Sequence, residues 1–144
     1  MCLIIKKNDY LKPSTKDTPT ECFKVLATKD GENYYTPFMV IPVDINKVMC
    51  PLGTQDKIRV YDENHLSVEA GFIHCCSGLE EAKLLSNYLE ETFGEECQEK
   101  YAIFKCEVPA NTEMYNGYFF VEREQISEPS GLAVKKLIFK EIVE

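Results

Sequence analysis

The residues best suited to chemistry stand together in the run Gly71-Phe72-Ile73-His74-Cys75-Cys76-Ser77. His74 is one of two histidines in the chain, and imidazole is the side chain that changes charge nearest neutral pH. Facing a pocket, it would bind a ribose hydroxyl or act as an acid or base. On a strand, alternate residues share a face, so His74 and Cys76 lie on one side and Ile73 and Cys75 on the other. A cysteine beside a histidine can form a thiolate nucleophile. Packing explains both residues more cheaply, as a half-buried histidine with one hydrogen bond and thiols that act as small hydrophobes. Tyr35-Thr36-Pro37-Phe38 sets aromatic rings around a hydroxyl and a rigid turn. Such a cluster stacks on a nucleotide base or nicotinamide ring, and it equally fills a β-rich core, which is the simpler reading.

Seven cysteines are present: Cys2, Cys22, Cys50, Cys75, Cys76, Cys97 and Cys106. The number is odd, no Cys-x-x-Cys pair occurs, and Met1 to Lys7 is too short an apolar run for a secretory segment. These features predict reduced thiols, a cytosolic compartment and no zinc site. Removal of Met1 would make Cys2 an N-terminal thiol with its own α-amine as base. In this respect Met-Cys-Leu-Ile resembles the start of N-terminal-nucleophile amidotransferases, but the glutamine-binding motifs of that class are not visible.

The elements that must position these residues read mainly as strands. Met1–Lys7, Cys22–Thr28, Lys57–Tyr61, Gly71–Cys76, Tyr101–Val108 and Tyr118–Val121 have β composition, and Leu132–Val143 is read as one further strand. Lys29-Asp30-Gly31-Glu32-Asn33 is turn chemistry, after which Tyr34–Val43 resumes as an edge or broken strand because of Pro37 and Pro42. Asn8–Thr20, Asp44–Asp56, Asp62–Ala70 and Glu128–Gly131 read as connections, and Asn116-Gly117 as a turn. Ser77-Gly78-Leu79-Glu80 has the form of a capping box, which claims the Ser77 hydroxyl. Ala82, Leu85 and Leu89 then repeat at helical spacing, with Glu80 and Glu81 in the first turn and Gly94 as the stop. A helix is expected at 78–93.

The chain has 144 residues, 44% hydrophobic and 28% charged, which suits one domain able to bury a core without metal or disulfide staples. The expectation is a single α+β domain over residues 1–144, with a mixed or mostly antiparallel sheet of six to seven strands and one main helix. Twenty-four acids against 16 bases leave a net charge of −8, which disfavours nucleic acid and anionic lipid as partners. Lys135, Lys136 and Lys140 form the best basic strip, most simply a solvated strand face. No apolar run approaches the roughly 20 residues that span a bilayer.

Three of these segments together resemble the ADP-ribosyltransferase-like superfamily. In that fold a strand reading Gly-aromatic-x-x-small-Ser leads into a helix with Ala on its buried face, and a β-branched and aromatic strand follows. Gly71–Ser77, then Glu81-Ala82-Lys83-Leu84-Leu85, then Tyr101–Val108 match this layout. The Gly71–His74 tetrad is also similar to one in small uncharacterised bacterial proteins grouped with the superfamily, and to a layout in short phage proteins. The resemblance implies NAD or ADP-ribose as ligand, a His or Arg on the first core strand, and a Glu that stabilises positive charge as nicotinamide leaves. Cys22-Phe23-Lys24-Val25 offers only Lys24 for the first role, and Glu113, Glu122 and Glu124 are available for the second. On this basis His74 and Glu113 are the expected catalytic residues. Lys24, Tyr35, Thr36 and His74 are the expected nucleotide contacts, in a cleft between the Tyr35 region and the Gly71–His74 strand. The missing first-strand His or Arg, with the net charge of −8, favours instead a non-catalytic protein, such as a phage or mobile-element accessory factor, docking on a protein partner through an acidic surface.

Overall fold

The computed structural model describes residues 3–6, 13–37, 40–51, 55–121, 124–125 and 131–144, with only the backbone described at 120, 121, 124 and 125. It is an α+β domain with one main helix and two antiparallel sheets. The smaller sheet has three strands, in the order β1 (Leu3–Lys6), β5 (His65–Ala70), β4 (Lys57–Val60). The larger has seven: β3 (Val48–Met49), β12 (Leu137–Ile142), β7 (Lys100–Val108), β2 (Thr20–Thr28), β6 (Ile73–Cys76), β11 (Gly131–Val134) and β8 (Met114–Gly117). A two-residue ribbon pairs β9 (Phe120–Val121) with β10 (Glu124–Gln125).

Chain connectivity requires the large sheet to curl. Only Lys135 and Lys136 separate β11 from β12, yet β6, β2 and β7 lie between them in ladder order. Four strand spacings of a flat sheet come to about 19 Å, whereas the three Cα steps from Val134 to Leu137 reach about 10 Å at most. The halves β8-β11-β6 and β2-β7-β12-β3 must therefore turn toward each other. Pairing shows where the bend falls. Strands β2 and β7 pair over nine residues, from Thr20↔Val108 to Thr28↔Lys100, while β2 and β6 share the single pair Phe23↔Cys76.

Alternation along each strand supplies two cores. Cys22, Leu26, Ile73, Cys75, Phe104, Cys106, Leu132, Val134 and Phe139 pack on one face of the sheet, joined by Tyr34, Val43 and Met49. Val25, Cys76, Ile103 and Ala133 point the other way, toward the helix residues Ala82 and Leu89 and the small-sheet residues Leu3, Ile5, Leu66 and Val68.

Several local expectations need correction. The segment 62–70 is not all connection, because His65–Ala70 is the central strand of the small sheet, with Leu66 and Val68 buried among polar alternates. Asn116-Gly117 is the end of β8 and not a turn. Gly117 is there because a Cβ at this position would collide with the Ile4 carbonyl, where Ile4 and Tyr118 exchange backbone hydrogen bonds of 2.9 and 2.8 Å. The segment Leu132–Val143 is two strands in different halves of the sheet, divided at Lys135-Lys136.

The helix α1 spans Leu79–Leu89, and its N-cap position is Gly78, one residue beyond the Ser77 that the capping box placed there. The helix does not stop at Gly94. A π-helical turn over Glu90–Gly94 leads into α2 (Glu95–Cys97). Gln98, at φ 52°, ends it in the left-handed region, where the Gln98 and Glu99 N–H groups donate to the Glu95 and Gly94 carbonyls, the pattern of a Schellman close.

Candidate functional site

A cavity of about 50 Å³ sits in the fork where β2 and β6 part. Beyond Phe23↔Cys76 the two strands share no further register pair among the described residues. Lys24 and Val25 line one side, and His74, Cys75 and Cys76 the other. Leu85 and Leu89 of α1, with Phe119 and Pro37, close the remainder. The helical spacing that buries Leu89 on the sheet is thus also what roofs the cavity.

A lysine takes over bonding that a ladder would supply here, and the histidine bonds the other sheet. The Lys24 ammonium donates to the backbone carbonyl of His74 across the fork. The His74 ring lies 2.9 Å, Nε2 to O, from the Val68 carbonyl of β5. A carbonyl can only accept, so Nε2 carries the proton and Nδ1 is left as the acceptor of a neutral ring. Burial pushes the His74 pKa down from 6.5 to about 4, further lowered by the Lys24 ammonium and opposed by the Val68 carbonyl. His74 is therefore neutral at physiological pH.

Cys76 shares the face of His74, as alternation requires, and its thiol is pushed up to about 12, chiefly by burial. It is protonated at neutral pH, so the thiolate that a Cys–His pair could form does not arise. On the other face, Cys22 hydrogen-bonds Cys106 and Cys75, with 3.6 Å between the Cys75 and Cys22 sulfurs. Those bonds and burial drive the Cys22 pKa far upward, so this row is packing and not chemistry. Among the described residues no cluster of His, Cys, Asp or Glu could hold a metal ion.

The other expected site residues disperse. The Tyr35 hydroxyl donates to the Glu99 carboxylate, near the end of the helical segment. The Thr36 hydroxyl accepts the Ile41 N–H at 3.0 Å and closes its own loop. Of the described residues of that stretch only Pro37 reaches the cavity, and Phe38 lies outside the described residues. Glu113 is exposed just before β8 and is not among the cavity's lining residues. Cys2, Glu122 and the side chain of Glu124 lie outside the described residues. The basic strip is also broken up. Lys135 bonds Asp56 and the Gly71 carbonyl and stands 4.1 Å above the Phe72 ring, while Lys140 faces Glu107 at 3.9 Å.

Sequence reasoning missed the apolar walls Leu85, Leu89 and Phe119. The first two carried a signal, the helical repeat, which specified burial but not what they would cover.

No protein-family model matches the chain, and no curated protein or solved structure matches it. No helix among the described residues is long and apolar enough to cross a membrane.

Proposed function

We propose that this chain is a binding protein and not a catalyst, with a nucleotide cleft reduced to the cavity in the β2–β6 fork. The chemical state of that cavity carries the reading. Its imidazole is neutral with Nε2 committed to a backbone carbonyl, and the Cys76 thiol on the same face is protonated. Its volume of about 50 Å³ falls well below the roughly 300 Å³ at which drug-sized ligands are held. The partner on this reading is a protein, met through the acidic surface. Glu90, Glu91, Glu95 and Glu99 border one groove beyond α1 and complement a Lys/Arg-rich surface. The similarity of Gly71–His74 to small bacterial and phage proteins fits an accessory factor.

A second reading, an ADP-ribosyltransferase-like enzyme acting on NAD, is favoured by one observation: Lys24 and His74 meet at the fork beside α1. Titration of the ¹⁵N-labelled chain with NAD and with ADP-ribose separates the two. The binding-protein reading expects unmoved amides at 23–25 and 73–76 and no release of nicotinamide at millimolar ligand. Saturable shifts at those amides, or nicotinamide release that His74→Ala abolishes, would replace it with the transferase.

A further inference from the structure

We infer that the fork cavity is a site for a compact carboxylate with an apolar tail, held by Lys24. This rests on the reading of the fork as a cleft closed down from a larger one, and it names what the remainder accepts.

Lys24 is half-buried, and its one hydrogen-bond partner among the described residues is the neutral carbonyl of His74. No carboxylate lies within ion-pair distance of it among those residues, although the chain carries 24 acids. An ammonium has three donors, and bonds from it to an ionised acceptor are about twice as strong as those between neutral groups. Among the described residues Lys24 is thus a cation with spare donors, lining an otherwise largely apolar space. Val25, Leu85, Leu89 and Phe119 form the apolar walls, and neutral His74 adds no second charge.

Size sets the ligand. A cavity of about 50 Å³ holds roughly four water positions, or on the order of 100 Å³ of molecular volume. A branched carboxylate such as isovalerate fills that space with its alkyl end among the leucines and its carboxylate at Lys24. A dinucleotide does not fit. Inorganic phosphate meets the charge but leaves the walls uncovered.

The test is an NMR titration of the full chain with isovalerate, isovaleramide and inorganic phosphate in parallel. Isovalerate is expected to give saturable shifts at 23–25, 73–76, 85–89 and 119, with the neutral amide and phosphate each at least about tenfold weaker. Lys24→Met keeps the length of the side chain and removes the charge, and it should weaken isovalerate by a similar factor. Leu85→Phe leaves Lys24 in place, fills the cavity and should abolish binding. Should either variant unfold, the three-ligand comparison on the unaltered chain still decides. Absence of saturable shifts with isovalerate, equal affinity for the amide, or equal affinity for phosphate overturns the assignment. Shifts with ADP-ribose would instead overturn the closed-cleft reading beneath it, so the two failures are distinct.

Discussion

Acidification should weaken the fold through His74 by an amount that can be worked from its surroundings. The ring is held near pKa 4 by burial and by the Lys24 ammonium, against 6.5 for a free histidine. The unfolded chain therefore takes up the proton first, and stability must fall wherever the unfolded state binds more protons. The contribution of the neutral ring is fully present above pH 6.5. It is lost as pH falls from 6.5 toward 4, and it changes no further below that. At 1.36 kcal/mol per pKa unit, the loss across the window is about 3 kcal/mol. Carboxylates titrate nearby, so the measurement is a difference: urea unfolding of the chain and of His74→Gln at matched pH. Glutamine cannot ionise, and contributions common to both proteins cancel. The gap in unfolding free energy should narrow by about 3 kcal/mol between pH 7 and pH 4. The His74 ring protons should titrate near pH 4 and be missing from the spectrum of the variant. A gap that stays constant, or a ring that titrates near 6.5, would refute the desolvated, lysine-flanked environment on which both functional readings depend.

Two further outcomes follow from burial and backbone geometry. Iodoacetamide on the native chain should modify Cys50 and Cys97, which are exposed, and spare Cys22, Cys75, Cys76 and Cys106 until the chain unfolds. Peptide mass spectrometry reads this directly, and labelling of Cys76 at the rate of Cys97 would show the fork standing open. Gly71→Ala should cost about 1–3 kcal/mol. Gly71 sits at φ 86°, and an added Cβ would lie 2.5 Å from Asp56 Oδ1 and 2.8 Å from Asp56 Cα. A Tm within a degree of the parent chain would contradict that contact.

What could be read in advance was whatever depends on neighbours in sequence. Ala82, Leu85 and Leu89 announce a helix because helical periodicity is local, and Tyr101–Val108 is dense enough in β-formers to mark β7. The α+β class follows from those elements. The central strand β5 escaped because His65, Ser67 and Glu69 alternate with Leu66, Val68 and Ala70, and half its residues read as linker. The division at Lys135-Lys136 escaped because composition does not report which strands lie on either side. His74 and Lys24 stood out by type alone. That they meet depends on the Phe23↔Cys76 register, a pairing across more than 50 residues that no local pattern encodes. Tyr35, Thr36 and Glu113 were drawn toward the site by composition or resemblance, and their own neighbourhoods hold them elsewhere.

The short link between β11 and β12 gives the fork its character. Because two residues must join strands on opposite sides of β6, β2 and β7, the sheet bends, and the bend costs the β2–β6 ladder all but one pair. Parting strands free backbone groups that cannot stay unbonded in an interior. Lys24 answers one, the His74 carbonyl, and the His74 ring ties the fork to the Val68 carbonyl of β5 in the small sheet. Each polar side chain of the cavity thus makes one bond to the protein itself, and the Lys24 ammonium keeps further donors among the described residues. A ligand at Lys24 uses the donors that bond leaves over, and one that offers only a neutral acceptor makes no stronger a bond than the His74 carbonyl does. A carboxylate adds the opposite charge, so its bond to the ammonium is also an ion pair. The selectivity argued for Lys24 therefore rests on its charge and spare donors, and because it also bonds the His74 carbonyl, a variant that loses the charge should loosen the seam between the two halves of the sheet.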